Sequence, residues 1–314
     1  REAFGEEGRL ATEGNFNNSV GVPITLWRLR ACHKAAVIEA GMSHPGEMAE
    51  LAAMIRPTVA LVNNAQREHQ EFLPDVAATA RENAFAIRAL GPEGVAVYPA
   101  DDACADIWRA AAGGRRTVTF STTPGVAAVV MAEVRPHGDG IAVRLSTPQG
   151  VIEARIGIGG SHNGHNAAAA ACCALAAGVP PEAVRRGLES FKPVARRGVR
   201  HALPNGVMLI DDTYNANPDS MEAGIKVLEG CAAPRLLIAG DMGEVGAKGP
   251  EYHAEVGRFA AACGVDGLLC CGELMKCTAA AFGPGARHFA NLDALSAQAL
   301  QAVAGMKGGT VLVK

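Results

Sequence analysis

The chain has 314 residues, with 29 Lys+Arg against 32 Asp+Glu, a formal charge of −3 and 49% hydrophobic residues. This balance excludes a disordered chain and a surface that coats nucleic acid, which needs a clustered basic footprint. No uninterrupted apolar run approaches the roughly 18 residues of a membrane span, and the acidic opening Arg1-Glu2-Ala3-Phe4-Gly5-Glu6-Glu7 is unlike a signal peptide. The expectation is a soluble, cytoplasmic, monomeric protein of two domains, with no membrane insertion and no nucleic-acid partner. Nine cysteines without a Cys-x-x-Cys pair read as reduced core thiols. Only 4% aromatic residues leaves little stacking surface for single strands.

The N-terminus reads as the end of a helix. Ala35-Ala36-Val37-Ile38-Glu39 is then a buried-strand candidate, 45–55 is helical, and 58–64 is the next strand. A helix over 76–90 and a strand over 94–98 follow, and this repeated alternation argues for a parallel α/β sheet. Near residue 116 the pattern changes. Thr117-Val118-Thr119-Phe120, 129–134, 141–145 and 151–156 succeed one another with turn residues between them, which predicts an antiparallel insert of four strands. Helical sequence resumes at Asn163 and becomes Ala-rich over 167–177. Strands at 207–211, 235–239 and 267–270, with helices over 220–228 and 252–263, make a second α/β unit, and 309–314 is again strand-like. The fold class is therefore α/β: a mostly parallel central domain with an antiparallel insert over 1–198, and a smaller Rossmann-like domain over 199–314.

Six polar segments carry candidate chemistry. Thr12-Glu13-Gly14-Asn15-Phe16-Asn17-Asn18 with Gly21-Val22-Pro23 reads by itself as a surface loop, although clustered amides also suit a polar ligand. Glu39, opening Glu39 to Glu47, falls at a strand's carboxyl end, where open α/β sheets place ligands; a carboxylate on a buried strand needs a cation or partner. Asn63-Asn64-Ala65-Gln66-Arg67-Glu68-His69 follows the next strand. Glu39 and His69 could meet around one divalent ion, or His69 could merely cap a helix. Gly159-Gly160-Ser161-His162-Asn163-Gly164-His165-Asn166 enters a helix; Asn as N-cap explains part of it, and an anion contact is the alternative. Asp211 to Met221 and Gly240 to Gly246 are the last two, and an Asx-rich turn would account for the first.

Together these segments resemble the Mur ligases of cell-wall synthesis over essentially the whole chain. Their wording is most similar to the family branch that joins D-alanyl-D-alanine to UDP-N-acetylmuramoyl-tripeptide. The resemblance implies an ATP- and Mg2+-dependent carboxylate–amine ligase working through an acyl phosphate. By position it implies Glu39 and His69 as magnesium ligands and Asn163 and Asn166 as contacts to the adenine end of ATP. Arg197 would reach ATP, Asp212 would bind the ribose, and Thr12, Asn15, Asn17 and Asn64 would line the phosphate and substrate cleft. A sister ligase adding another amino acid and a non-catalytic nucleotide-binding fragment are the alternatives.

Two departures from the family pattern stand out. No Gly-x-x-Gly-Lys-Thr/Ser phosphate loop occurs in these residues. In the family it lies just before the position of Arg1, so a chain truncated at both ends and inactive by itself is expected. The family's often carbamylated lysine falls at Asn83, so either Glu82 or Glu71 supplies the missing charge or the neutral Asn83 amide orients a metal-bound water directly.

Overall fold

The alternation of short apolar runs with Ala-rich segments folds into strands and helices in a computed structural model that describes residues 2–314. The chain divides into two units, one running to Gly157 and resuming over Ser161–Phe191, the other formed by Ile158–Gly160 with Lys192–Lys314.

The first unit contains, in order, β1 (Arg9–Ala11), α1 (Gly21–Trp27), β2 (Ala35–Val37), α2 (Glu47–Ile55), β3 (Val59–Leu61), α3 (Val76–Arg88), β4 (Val95–Pro99) and α4 (Ala105–Ala112). β5 (Arg116–Ser121), β6 (Val130–His137), β7 (Gly140–Thr147), β8 (Gly150–Ile156), α5 (Ser161–Ala176) and α6 (Pro181–Glu189) complete it. Strands β3 to β8 form one six-stranded sheet in sequence order, and β1 pairs with β2 in a separate parallel ribbon. Every residue of β4 is buried, as befits a central strand covered on both faces. On one face Ala80, Ala84 and Ile87 of α3, at helical spacing, pack with Trp108 and Ala112 of α4. Asp75 caps α3 by accepting the Ala78 N–H, and the buried Trp108 indole donates to the Ala80 carbonyl at 3.0 Å. The Ala-rich α5 lies against β3 to β7.

Four expectations need correction here. Residues 2–8 form turns rather than a helix end. The Ala35–Glu39 strand is not buried: Val37 is 72% exposed, because β2 has only β1 beside it. Residues 117–120 do not belong to the antiparallel insert; β5 pairs in parallel with β4 and with β6, and only β6, β7 and β8 are mutually antiparallel. The insert is thus three strands that continue the same sheet. Finally, Asn163 is no N-cap, because α5 already begins at Ser161.

The second unit holds β9 (Val199–Ala202), β10 (Met208–Asp211), α7 (Pro218–Glu229), β11 (Arg235–Gly240), α8 (Gly249–Ala262), β12 (Gly267–Cys271), α9 (Met275–Phe282), β13 (Ala286–Phe289), α10 (Leu292–Gly305) and β14 (Thr310–Val313). Its sheet order is β13-β12-β11-β14-β10-β9, parallel except for the edge strand β9. The last strand thus sits between β10 and β11. Apolar clusters cover both faces, one built on Met221, Ile225 and Leu228 of α7 with α8, the other on Leu295 of α10. A capping box fixes the start of α7: Asn217 accepts from Ser220 N–H while Ser220 Oγ accepts from Asn217 N–H.

Candidate functional site

Polar side chains gather where strands end. Thr12 follows β1, Glu39 lies two residues beyond β2, and Asn17 stands in the loop between them. Asn17 Nδ2 donates to Glu39 Oε1 at 2.9 Å, and the Glu39 N–H donates to Thr12 Oγ1 at 2.9 Å. The Gly41 N–H donates to the Asn17 carbonyl at 2.9 Å, so both ends of Asn17 are tied to this turn. A Cβ on Gly41 would lie 2.7 Å from Asn17 Nδ2, which is why glycine stands there. Asn15 contributes its carbonyl to the Asn17 N–H and leaves its side chain exposed. Asn18 accepts from the N–H groups of Val20 and Gly21 just ahead of α1; of the expected loop only Gly21-Val22-Pro23 lie in the helix.

Glu39 is exposed, contrary to the buried-strand reading. An exposed carboxylate with one oxygen oriented by an amide is a hard oxygen donor of the kind Mg2+ takes, together with phosphate oxygens and water. Among the described residues no group of three or more His, Cys, Asp or Glu is placed to hold a metal ion. His69 occupies a turn beyond β3 at φ 55°, a region in which histidine is enriched among non-glycine residues, and its carbonyl accepts from Phe72 and Leu73 N–H groups. It caps no regular helix.

A second cluster joins the end of β3 to the first turns of α5. Asn63 Nδ2 donates to Asn166 Oδ1 at 2.8 Å, Asn166 Nδ2 to Asn163 Oδ1 at 3.3 Å, and His165 Nε2 lies 2.8 Å from the Asn63 carbonyl. Asn63 Oδ1 is buried with no hydrogen-bond partner among the described residues. Asn64 is half-buried beside it. Sequence reasoning selected Asn64 and passed over Asn63; the first amide beyond the strand, two residues after Leu61, was the available signal. Gly164 has a packing role, since a Cβ there would lie 2.2 Å from Val134 Cγ2.

Beyond β4, Asp101 accepts from Ser121 Oγ at 2.6 Å and Thr123 Oγ1 at 2.8 Å. Burial pushes its pKa up, but the two hydroxyls outweigh burial and hold it below the ordinary value. Two further acids act on local structure. Glu47 accepts from the N–H groups of Ser43 and His44, which hold its pKa below the usual carboxylate value. The buried Glu82 accepts from the N–H groups of Gly46 and Met48, and so caps α2 rather than facing a metal site. Asn83, on the same helix, is half-buried. A cavity of about 360 Å³ lined by Tyr98, Arg109, Arg115, Thr117 and Thr119, among others, contains none of these candidates.

In the second unit Asp212 follows β10, and its Oδ2 accepts from Lys314 Nζ at the end of β14. The Arg197 guanidinium lies 4.0 Å over the Tyr214 ring, a cation–π contact. Its neighbour Arg196 donates to Thr213 Oγ1 and to the Thr213 carbonyl. Lys314 is a partner that sequence reasoning missed; a single lysine ending an apolar strand carries no signal without knowledge of the neighbouring strand.

The segment from Gly240 to Gly246 does something different. Asp241 accepts from Met275 N–H at 2.8 Å and Leu274 N–H at 3.3 Å, closing the start of α9. His253, fully buried on α8, accepts the Met242 N–H at Nε2 and donates from Nδ1 to the Gly249 carbonyl. Burial lowers its pKa, which keeps the imidazole neutral in this role.

Comparison with known proteins decides the family. The Mur ligase middle domain matches residues 2–174, and the Mur ligase glutamate ligase domain matches residues 196–314. The chain belongs to the Mur ligase family. It is 35% identical over 97% of its length to the UDP-N-acetylmuramoyl-tripeptide–D-alanyl-D-alanine ligase of Escherichia coli strain K12, of which it spans 67%. With the ligase of the same name from Haemophilus influenzae it shares 36% identity over 82% of its length, spanning 55% of that relative. Among solved structures, MurF from Acinetobacter baumannii superposes with a TM-score of 0.91 at 29% identity, over 99% of this chain and 69% of that one. MurF from Thermotoga maritima in complex with ADP shares the fold at a TM-score of 0.85 and 21% identity, over 98% of this chain and 70% of that one. The Mur ligase fold accounts for the mixed, mostly parallel sheets described above. Among the described residues no helix is long and apolar enough to cross a membrane.

Proposed function

We propose that this chain carries the ATP-binding central domain, over residues 1–198, and the C-terminal domain, over 199–314, of a cytoplasmic ligase. Its reaction joins D-alanyl-D-alanine to UDP-N-acetylmuramoyl-tripeptide in peptidoglycan precursor synthesis. The observation that carries the reading is the 35% identity over 97% of the chain to a ligase of that name. ATP phosphorylates the terminal carboxylate of the tripeptide. The D-alanyl-D-alanine amine then attacks the acyl phosphate carbonyl, phosphate leaves, and an amide forms.

The chain's own residues support these steps by position. Glu39, oriented by Asn17 and Thr12, is the carboxylate for Mg2+, with His69 as the second ligand. The metal when bound neutralises charge on the transferring phosphoryl group. Asn163 and Asn166, joined by a hydrogen bond at the start of α5, present amides of the kind that pair with a purine edge. Asp212 supplies a carboxylate to the ribose hydroxyls, as acidic residues at strand ends do in dinucleotide-binding folds. Arg197 is the cation that reaches the nucleotide, and Thr12, Asn15, Asn17 and Asn64 line the substrate cleft. The protein acts as a monomer in this reading.

The test offers the intact ligase tripeptide precursor, ATP and Mg2+ with either D-alanyl-D-alanine or single amino acids, and weighs the product by mass spectrometry. Gain of the dipeptide is expected. Preferential addition of a single amino acid would reassign the chain to a sister ligase.

A further inference from the structure

We propose that Lys314 is a positioning residue for nucleotide binding, acting through Asp212; the inference rests on the assignment of Asp212 to the ribose given above. Adjacent parallel strands create the pair. Asp211 stands in register with Val313, so the next residues, Asp212 and Lys314, leave the two strand ends side by side. Period-two alternation puts Lys314 on the same face of β14 as Thr310 and Leu312, both buried. Its aliphatic stem therefore lies among core residues and only the ammonium reaches the strand ends.

The two members are unequal. The lysine side chain is 4% exposed, whereas that of Asp212 is 25% exposed. Lys314 Nζ donates to Asp212 Oδ2 and, at 3.3 Å, to the Asn215 carbonyl, so two of its three protons are placed by the protein. Asp212 Oδ1 accepts from no described residue and remains available to a ligand hydroxyl. Gly224 of α7 makes room for the arrangement: its Cβ would lie 3.5 Å from Lys314 Cδ and 3.7 Å from Asp212 Oδ2, with Leu312 Cδ2 at 3.2 Å. A carboxylate with one oxygen locked by a buried cation and the other open is a preorganised acceptor. It spends no binding energy on choosing a rotamer when a diol arrives.

The experiment measures KM for ATP and kcat in the intact ligase for Lys314→Met, Lys314→Arg, Asp212→Asn and the Lys314→Met/Asp212→Asn double variant, with melting temperatures alongside. Lys314→Met should raise KM for ATP about tenfold, the weight of one charged hydrogen bond, and change kcat by less than about twofold. Lys314→Arg should restore most of the loss, and the double variant should be no worse than Asp212→Asn alone. A lower melting temperature with unchanged KM for ATP would make the pair purely structural and overturn the proposal. Additive losses in the double variant would overturn it as well, because Lys314 would then act independently of Asp212. If Asp212→Asn itself leaves KM for ATP untouched, the ribose assignment falls rather than the coupling. Should Lys314→Met fail to fold, Lys314→Arg with the Asp212 carboxyl followed by NMR keeps the question open to decision. A carboxyl signal that does not respond to ADP would count against the proposal.

Discussion

Glu39 and Asp241 occupy the same formal place, an acid just beyond the carboxyl end of a parallel strand and within a motif rich in glycine. Their surroundings differ. Asp241 receives two backbone N–H groups from the start of α9, one on each oxygen, while Glu39 receives a single side-chain amide on Oε1 and is otherwise exposed. An acid whose oxygens are already taken by a helix start is part of the fold. One held by a single oxygen and open at the other is available to a cation. Glu47 and Glu82 are structural in another way, each giving a single oxygen to two backbone N–H groups around α2, whereas the fixed oxygen of Asp212 meets a side-chain cation.

The comparison breaks most visibly at Glu39. Glu39→Gln in the intact ligase should lower the rate of phosphate release by about a thousandfold, the scale of losing one electrostatic stabiliser of the transferring group. Its melting temperature should stay within about 2 °C, because exposed substitutions change stability little. A variant with normal turnover and normal magnesium dependence would move Glu39 to the structural side. Within the adenine-end cluster, Gly164→Ala separates packing from chemistry. The added methyl meets Val134 and should cost about 2 kcal/mol by overpacking, read in a urea titration. An unchanged midpoint would mean that α5 shifts freely against β6.

Asp241→Ala should behave as the loss of a helix cap, costing about 1 kcal/mol. Melting should show it, with KM values for all three substrates unchanged; a selective rise in one of them would place Asp241 beside Glu39. The smallest effect is expected from acid. His253 has a lowered folded pKa because it is buried, so the unfolded chain binds its proton more readily. Its contribution is complete above the ordinary histidine value of about 6.5 and is lost as pH falls through that value toward the lowered folded one. The melting temperature should therefore decline from pH 7 to pH 5 more steeply than in His253→Gln. Parallel declines would show that the imidazole titrates alike in both states.

Much of this was legible before any tertiary structure. Short strands alternating with helices and the turns around Gly138 and Gly150 are local features, fixed by periodicity and turn chemistry within a few residues, whereas α7 starts at Pro218 with Asn217 as its cap, ahead of the expected start at Ser220. The strand-end positions of Glu39, Asn64 and Asp212 followed from the same pattern, and the motif wording identified the family. Illegible were the facts that depend on a partner far along the chain. Parallel pairing of β5 with β6 involves no hairpin signature, so adjacency in sequence suggested the wrong direction.

The amino-acid order by itself determined the α/β class, the two-part organisation and which segments carry polar groups at strand ends, because these follow from side-chain period and turn chemistry. Tertiary structure alone decided which of those groups are already satisfied. It set Glu82 against α2, Asp241 against α9 and Lys314 against Asp212, at separations of 34 to 102 residues. A carboxylate's chemistry depends on what its oxygens meet, and only the folded chain brings those donors within reach.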